Sequence, residues 1–189
     1  MISGGGLTRA TGLDGLMLVE PEVHRDDRGF FLETYSRRRY QDLGIEGEFV
    51  QDNHSHSSKG VLRGIHYQDM SAPMAKLVRC ASGAALDVAV DLRVGSRTFG
   101  KWYAVELSAM NGRQLFVPVG FGHALLVLSE SADVEYKCTG YYDKTAEGVI
   151  AWDDPQIAID WPDNHPTLSP RDAKGMSLNE YLSRPAFKA

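Results

Sequence analysis

Between residues 61 and 139 the chain passes through one short β-prone run after another, with turn signals between them and no helical pattern along the way. Runs are predicted over residues 61–68, 75–81, 84–94, 101–109, 113–117, 123–129 and 134–139, divided by elements such as Ser82-Gly83, Gly95-Ser96 and Asn111-Gly112. A doubly wound α/β fold needs helices between its strands, and this section has none. An antiparallel sandwich or barrel is the architecture that fits. The clearest run is 84–94. There Leu86, Val88, Val90 and Leu92 alternate with Asp87, Ala89, Asp91 and Arg93, so the two sets face opposite sides of a sheet. Asn111-Gly112 is the strongest hairpin signal, because a type I′ turn requires positive φ at both central residues.

The flanks add little helix. Residues 15–20 and 28–35 read as strands, and 36–43 as a helix with Ser36 as its cap, Tyr40 and Leu43 on one face, and Gly44 as its stop. Near the other end Ser169-Pro170-Arg171-Asp172 opens a second predicted helix: Ser169 caps it, Pro170 suits its first turn, and Asp172 complements its dipole. Residues 1–12 read as a flexible leader and 165–189 as a helical tail. No repeat or linker divides the chain, so residues 1–189 are expected to form one domain, mainly β and antiparallel, with a few short helices.

Composition excludes several classes of function. Net charge is −5 and no basic run exceeds Arg37-Arg38-Arg39, which argues against a polynucleotide partner. No apolar run approaches the roughly 20 residues that span a bilayer, and the start has no apolar core of the signal-peptide kind. Cys80 and Cys138 lie in apolar strand-like sequence without paired spacing, which fits a reduced, cytoplasmic protein.

Chemistry concentrates in residues 49–79, which carry His54, His56, His66, Arg63, Arg79, Lys59, Lys76, Asp52, Asn53, Gln51 and Gln68 on strand-like sequence. Folding alone favours Val and Thr at such positions, and an unpaired buried charge is costly. The segment therefore reads as the floor of a pocket. A metal site is disfavoured. His54-Ser-His56 has the spacing of one cupin ligand pair, and the element from Pro118 to His123 matches the PxGxxH element of cupin-type jelly rolls. No Glu follows His56 by a few residues, however, and Lys59 is close by. His54 and His56 read as polar loop residues and His123 as a pocket hydrogen-bonder. No Ser or Cys sits in a nucleophile elbow. General acid–base chemistry fits better. Strict alternation puts Arg63 and His66 on opposite faces; a bulge at Gly64 would bring both into one cavity, and a regular ladder through Gly64 would keep them apart. Taken alone, His66, Tyr136 and Asp172 each have a bland reading: strand histidine, core tyrosine and helix-start carboxylate.

The motifs DRGFFLE (27–33), FVQDNHS (49–55), GVLRGIHYQ (60–68), AKLVRC (75–80), LDVAVDLR (86–93), FGKW (99–102), RQLFVP (113–118), EYKCTGYY (135–142) and IAWDDPQIAIDWP (150–162) occur in order. Together they resemble the dTDP-4-dehydrorhamnose 3,5-epimerase family over residues 16–173. The resemblance implies a cupin-like antiparallel jelly roll, a homodimer without metal or other cofactor, and a dTDP-linked 4-keto-6-deoxyhexose as substrate, in deoxysugar biosynthesis. It places His66 as the general base, Asp172 as its paired carboxylate, Tyr136 as the acid across the sugar and Lys76 as the cation near the carbonyl oxygen. It places Arg28, Glu33, Gln51, Asn53, Arg63, His123, Glu147 and Arg171 on the nucleotide, diphosphate or sugar. Arg171 stands where the family usually has Lys, which changes the contact geometry.

That reaction explains the residue types. A 4-ketone acidifies the hydrogens on carbons 3 and 5, and epimerisation needs a base on one face and an acid on the other. The enolate oxygen calls for a cation, and a diphosphate for convergent positive charge. The family's usual PEGFAHGF is PVGFGHAL at 118–125, with Val119 and Ala124 as replacements, and DMSAPMA precedes Lys76. These departures are expected near the sugar, which leaves open an epimerase of a single carbon. A catalytically silent nucleotide-sugar-binding jelly roll is the third reading, against which the intact set of four argues.

Overall fold

The computed structural model describes residues 7–189. Its elements are β1 (Leu7–Ala10), β2 (Met17–Glu20), β3 (Val23–Asp26), β4 (Gly29–Leu32), α1 (Arg37–Asp42), β5 (Gln51–Ser58), β6 (Leu62–Gln68), β7 (Lys76–Ser82), β8 (Ala84–Asp91), β9 (Arg93–Val94), β10 (Trp102–Ser108), β11 (Gln114–Val117), β12 (Phe121–Val127), β13 (Ser131–Cys138), β14 (Glu147–Val149), a 3₁₀ turn (Asp172–Lys174), α2 (Leu178–Ser183) and β15 (Phe187–Lys188). A six-stranded sheet in the order β1-β2-β11-β7-β13-β5 faces a five-stranded sheet in the order β10-β8-β12-β6-β14. The pairings within both are antiparallel, giving a cupin-like jelly roll.

Three apolar clusters set the layers. Between the sheets, Leu18, Val78, Leu115 and Val134 of one pack against Ala85, Ala89, Leu125 and Val127 of the other. On the far side of the five-stranded sheet, Leu62, Ile65, Val88, Val90 and Leu126 are covered by Trp161, Leu178, Tyr181 and Phe187 of the C-terminal segment. On the far side of the six-stranded sheet, Leu77 and Phe116 pack with Tyr40 of α1 and with Ile45. The 84–94 alternation is therefore correct, and both of its faces are buried. Val88 and Val90 point under the tail, while Asp87 points between the sheets with Ala85 and Ala89.

Several expectations are corrected. Leu7–Ala10 forms a strand paired with β2, so the leader reading fails there, and residues 1–6 lie outside the described ones. Asn111-Gly112 does not close a hairpin, since β10 and β11 belong to different sheets. Only Gly112 of the pair has positive φ. Asn111 instead braces a crossover, its side-chain oxygen accepting from the Ser108 and Arg113 N–H groups. Ser36 is the N-cap residue of α1 by position, but its hydroxyl makes no capping bond. The turn opened by Ser169 is a single 3₁₀ turn. The tail's helix starts later, at a capping box of Ser177 and Glu180. A helix of six residues is not stable alone. It is held by docking: Tyr181 is fully buried and donates its hydroxyl to the Leu92 carbonyl at 2.7 Å.

Candidate active site

Sequence alternation would separate Arg63 from His66, and the pairing of β6 with β12 explains why they meet. His123 lies opposite His66 and Leu125 opposite Arg63, so three steps along β6 match two along β12. The extra residue is accommodated at Gly64, whose φ is +133°. A Cβ there would lie 2.4 Å from the Ala124 Cβ and 2.7 Å from the His123 carbonyl oxygen, so only glycine fits. Leu62 and Ile65 turn out to the tail's apolar layer. Arg63 and His66 both line a cavity of about 440 Å³ between the sheets.

Gln51 and Asn53 of β5, Lys76 of β7, His123 of β12, Tyr136 of β13, Glu147 of β14 and Arg171 of the tail line the same cavity. Asp172 stands behind His66, its side chain 3% exposed against 19% for the imidazole. His66 Nε2 donates to Asp172 Oδ1 at 2.5 Å. A carboxylate can only accept, so this bond calls for a proton on Nε2, and in the neutral imidazole that burial favours Nδ1 is then bare. No buried polar side-chain atom among the described residues lacks a partner. His66 Nδ1, Lys76 Nζ and the Tyr136 hydroxyl make no hydrogen bond among the described residues, and all three residues line the open cavity. Lys76 Nζ sits 5.8 Å from the centre of the Tyr136 ring.

Burial moves each of these groups toward its neutral form. Desolvation lowers the His66 pKa against the opposing pull of Asp172, and lowers that of Lys76. Burial also raises the Tyr136 pKa, keeping the phenol protonated. Burial alone would raise the Asp172 pKa, but the hydrogen bonds from His66 and Ser169 more than offset it, and the carboxyl lies below its usual range. Arg171 joins the rim to the floor. Its Nη1 donates to Glu147 Oε2 at 2.5 Å, while Nη2 lies 3.2 Å from His66 Nε2. Tyr142 also donates its hydroxyl to Glu147, at 3.2 Å.

Two expected site residues are elsewhere. Arg28 is on the β3–β4 hairpin, 90% exposed and paired with Asp26. Glu33 lies near Arg39, beside α1. Arg79, counted among the cations of the pocket floor, points to the outer face of its sheet and donates to Glu135 at 3.0 Å. His54 and His56 are strand residues rather than loop residues; both bond Asp133 Oδ1, at 2.8 and 2.9 Å. Among the described residues no three His, Cys, Asp or Glu side chains are arranged to hold a metal ion. Ala124 packs under the tail and Val119 is partly buried in apolar contacts, so neither lines the cavity, whereas Met74 does. Sequence reasoning missed Asp87, which is buried and bonded through both oxygens to His123 Nε2 at 3.0 Å. Its signal was a carboxylate opposite a fully apolar strand face. It also missed Ser57, which accepts from Arg63 Nε at 3.0 Å.

A cupin-like jelly roll that gathers a buried His–carboxylate pair, a lysine and a tyrosine around one cavity holds the groups that acid–base chemistry uses. The family model for dTDP-4-dehydrorhamnose 3,5-epimerase matches residues 10–180. The chain is 48% identical over 174 residues to dTDP-4-dehydrorhamnose 3,5-epimerase of Salmonella typhimurium, covering 91% of this chain and 95% of that one. It is 40% identical to dTDP-4-dehydrorhamnose 3-epimerase of Streptomyces niveus, over 91% of this chain and 84% of that one. The crystal structure of a 3,5-epimerase from Legionella pneumophila, in complex with dTDP-4-keto-L-rhamnose, superposes with a TM-score of 0.93 at 46% identity, covering 97% of this chain and 98% of that chain. The chain belongs to the dTDP-4-dehydrorhamnose 3,5-epimerase family, and is an isomerase of that class.

Proposed function

We propose that the cavity binds a dTDP-linked 4-keto-6-deoxyhexose and inverts carbons 3 and 5 by proton abstraction and return. The observation that carries this is the meeting of three free groups, His66 Nδ1, Lys76 Nζ and the Tyr136 hydroxyl, in one cavity on three different strands. His66 Nδ1 takes the proton while Asp172 stabilises the imidazolium that forms. Lys76 meets the negative charge on the enolate oxygen. Tyr136 returns a proton to the opposite face. Gln51, Asn53, Arg63, His123, Glu147 and Arg171 hold the sugar and diphosphate, a role that suits the two arginines in an acidic protein. Incubation with the 4-keto sugar nucleotide in deuterated water tests the reading. Label at both carbons is expected. Label at one alone would identify a single-carbon epimerase, and binding without exchange would leave a nucleotide-sugar-binding protein.

We also infer a homodimer. A two-stranded hairpin gains little stability by itself in water, yet β3–β4 pairs with neither large sheet and exposes Phe30 and Phe31. Arg28 and Glu33 do not line their own chain's cavity, which supports a reading in which they serve the cavity of a second copy. Buried free Cys80 and Cys138 support a reducing, cytoplasmic setting.

A further inference from the structure

Asp172 is buried, and both of its carboxylate oxygens are committed. Oδ1 accepts from His66. Oδ2 accepts the Ser169 hydroxyl at 2.8 Å. The Ser169 Oγ in turn accepts the backbone N–H of Asp172 at 3.1 Å. These two bonds close a small ring, from the Asp172 N–H to the serine oxygen and from the serine proton back to the Asp172 carboxylate. The ring ties one carboxylate oxygen to the residue's own backbone. That fixes the side-chain torsions and leaves the other oxygen aimed at His66 Nε2.

We propose that Ser169 is a positioning residue for the acid–base reaction. Acting through Asp172, it holds the His66 ring in the tautomer protonated on Nε2, so that the bare Nδ1 faces the cavity. The inference rests on the reading of His66 as the base. It assigns Ser169 more than the capping of a turn. Capping uses only the bond that the serine oxygen accepts, whereas positioning uses the bond that the hydroxyl donates. A histidine whose partner carboxylate can rotate samples both tautomers, and the wrong one presents a proton where a base is needed.

The test compares Ser169→Ala, Ser169→Thr, Asp172→Asn and the Ser169→Ala/Asp172→Asn double variant. The readouts are kcat, KM, deuterium exchange into substrate, and the ¹⁵N signals of His66 in the free enzyme. Ser169→Ala should lower kcat about 10- to 100-fold, the range seen when a group that orients a metal-ligating histidine is lost, while KM moves less than about twofold. The two ¹⁵N signals of the ring, one bare and one protonated, should converge. Ser169→Thr, which keeps both bonds, should recover most of the rate. In the double variant the serine change should add nothing to the loss from Asp172→Asn. Should Ser169→Ala fail to fold, Ser169→Cys keeps a group of similar shape with a weak donor and carries the same expectations. Unchanged kcat and ¹⁵N signals in Ser169→Ala would overturn the proposal, as would an equal fold-loss with and without Asp172→Asn. His66→Ala separates the two levels: full exchange in that variant removes the base assignment itself, while loss of exchange there with an unaffected serine variant removes only the role of Ser169.

Discussion

His66 and His123 stand directly opposite one another across the β6–β12 pair, yet each is tied to its own carboxylate, Asp172 for the first and Asp87 for the second. Both Asp87 oxygens lie at 3.0 Å from His123 Nε2, and that pair is almost wholly buried. His66 uses one oxygen of Asp172 and keeps its other ring nitrogen open to the cavity. The division suits one histidine that moves protons and one that holds a ligand.

If Tyr136 returns the proton, Tyr136→Phe should lose far more net epimerisation than exchange. His66 can still abstract and restore a proton on its own side. Inversion should fall by about a hundredfold or more, with deuterium wash-in reduced only a few-fold. Mass spectrometry of recovered substrate and product measures both. Equal loss of the two would remove Tyr136 from the opposite face.

The pH profile follows from burial. A base must be neutral to act, and burial lowers the His66 pKa from its ordinary value of about 6.5. The acid limb of kcat/KM should therefore have its midpoint below pH 6.5, with activity lost as pH falls through it. Lys76 must be charged to meet the enolate, and burial lowers its pKa from about 10.5, so activity should decline on the alkaline side before that pH. Tyr136 is shifted upward from about 10 and does not produce this limb. Lys76→Arg should move the alkaline limb upward, because guanidinium stays charged. An acid midpoint above 6.5 in wild type would contradict the assignment of His66.

Gly64→Ala should damage both fold and site. The added Cβ meets the Ala124 Cβ, the Ala124 Cα and the His123 carbonyl at 2.4–2.7 Å, in a backbone conformation that side chains rarely adopt. Overpacking of this kind costs about 1–3 kcal/mol, and the positive φ adds to it. Urea denaturation should give a lower midpoint with an unchanged slope, and kcat should fall along with it. A variant with wild-type stability would mean that β6 has another way to carry its extra residue.

Exchange between copies can be read by complementation. Arg28→Ala and His66→Ala should each be nearly inactive alone. When they are mixed, unfolded and refolded together, the heterodimers contain one pocket with its own His66 and an intact Arg28 from the other copy. Activity should return to about a quarter of wild type, from random pairing of chains in a symmetric dimer. No recovery, in a preparation that light scattering finds dimeric, would place Arg28 in its own chain's site or in none.

Most of the fold was legible because it is written in local pattern. Alternation in 84–94 located β8, and the absence of helix between strands excluded an α/β sheet. What failed was the assignment of turns to partners. Asn111-Gly112 has hairpin chemistry, but the strands on either side were claimed by different sheets, a choice that non-local packing makes. In the site, Arg63 and His66 were legible because Gly64 marked the bulge between them. Asp172 looked like a helix-start residue because its true partner is 106 residues away. Arg79 and Lys76 are three apart on one regular strand, so only one of them could face the cavity, and nothing local says which. Arg28 and Glu33 were legible as motif residues, yet within one chain neither lines the cavity, and no local pattern says where they would act.

The separation of His66 and Asp172 along the chain has a kinetic consequence. Every strand of the two large sheets precedes residue 150, whereas the pair needs the tail docked on the outer face, through bridges at Val61–Thr167 and Ile150–Met176 and the parallel pairing of β15 with β9. Such long-range closures are slow steps of β-rich folding. During refolding, recovery of the β-sheet circular dichroism signal and recovery of turnover are thus two clocks started together. The second reads the arrival of the last layer of the molecule.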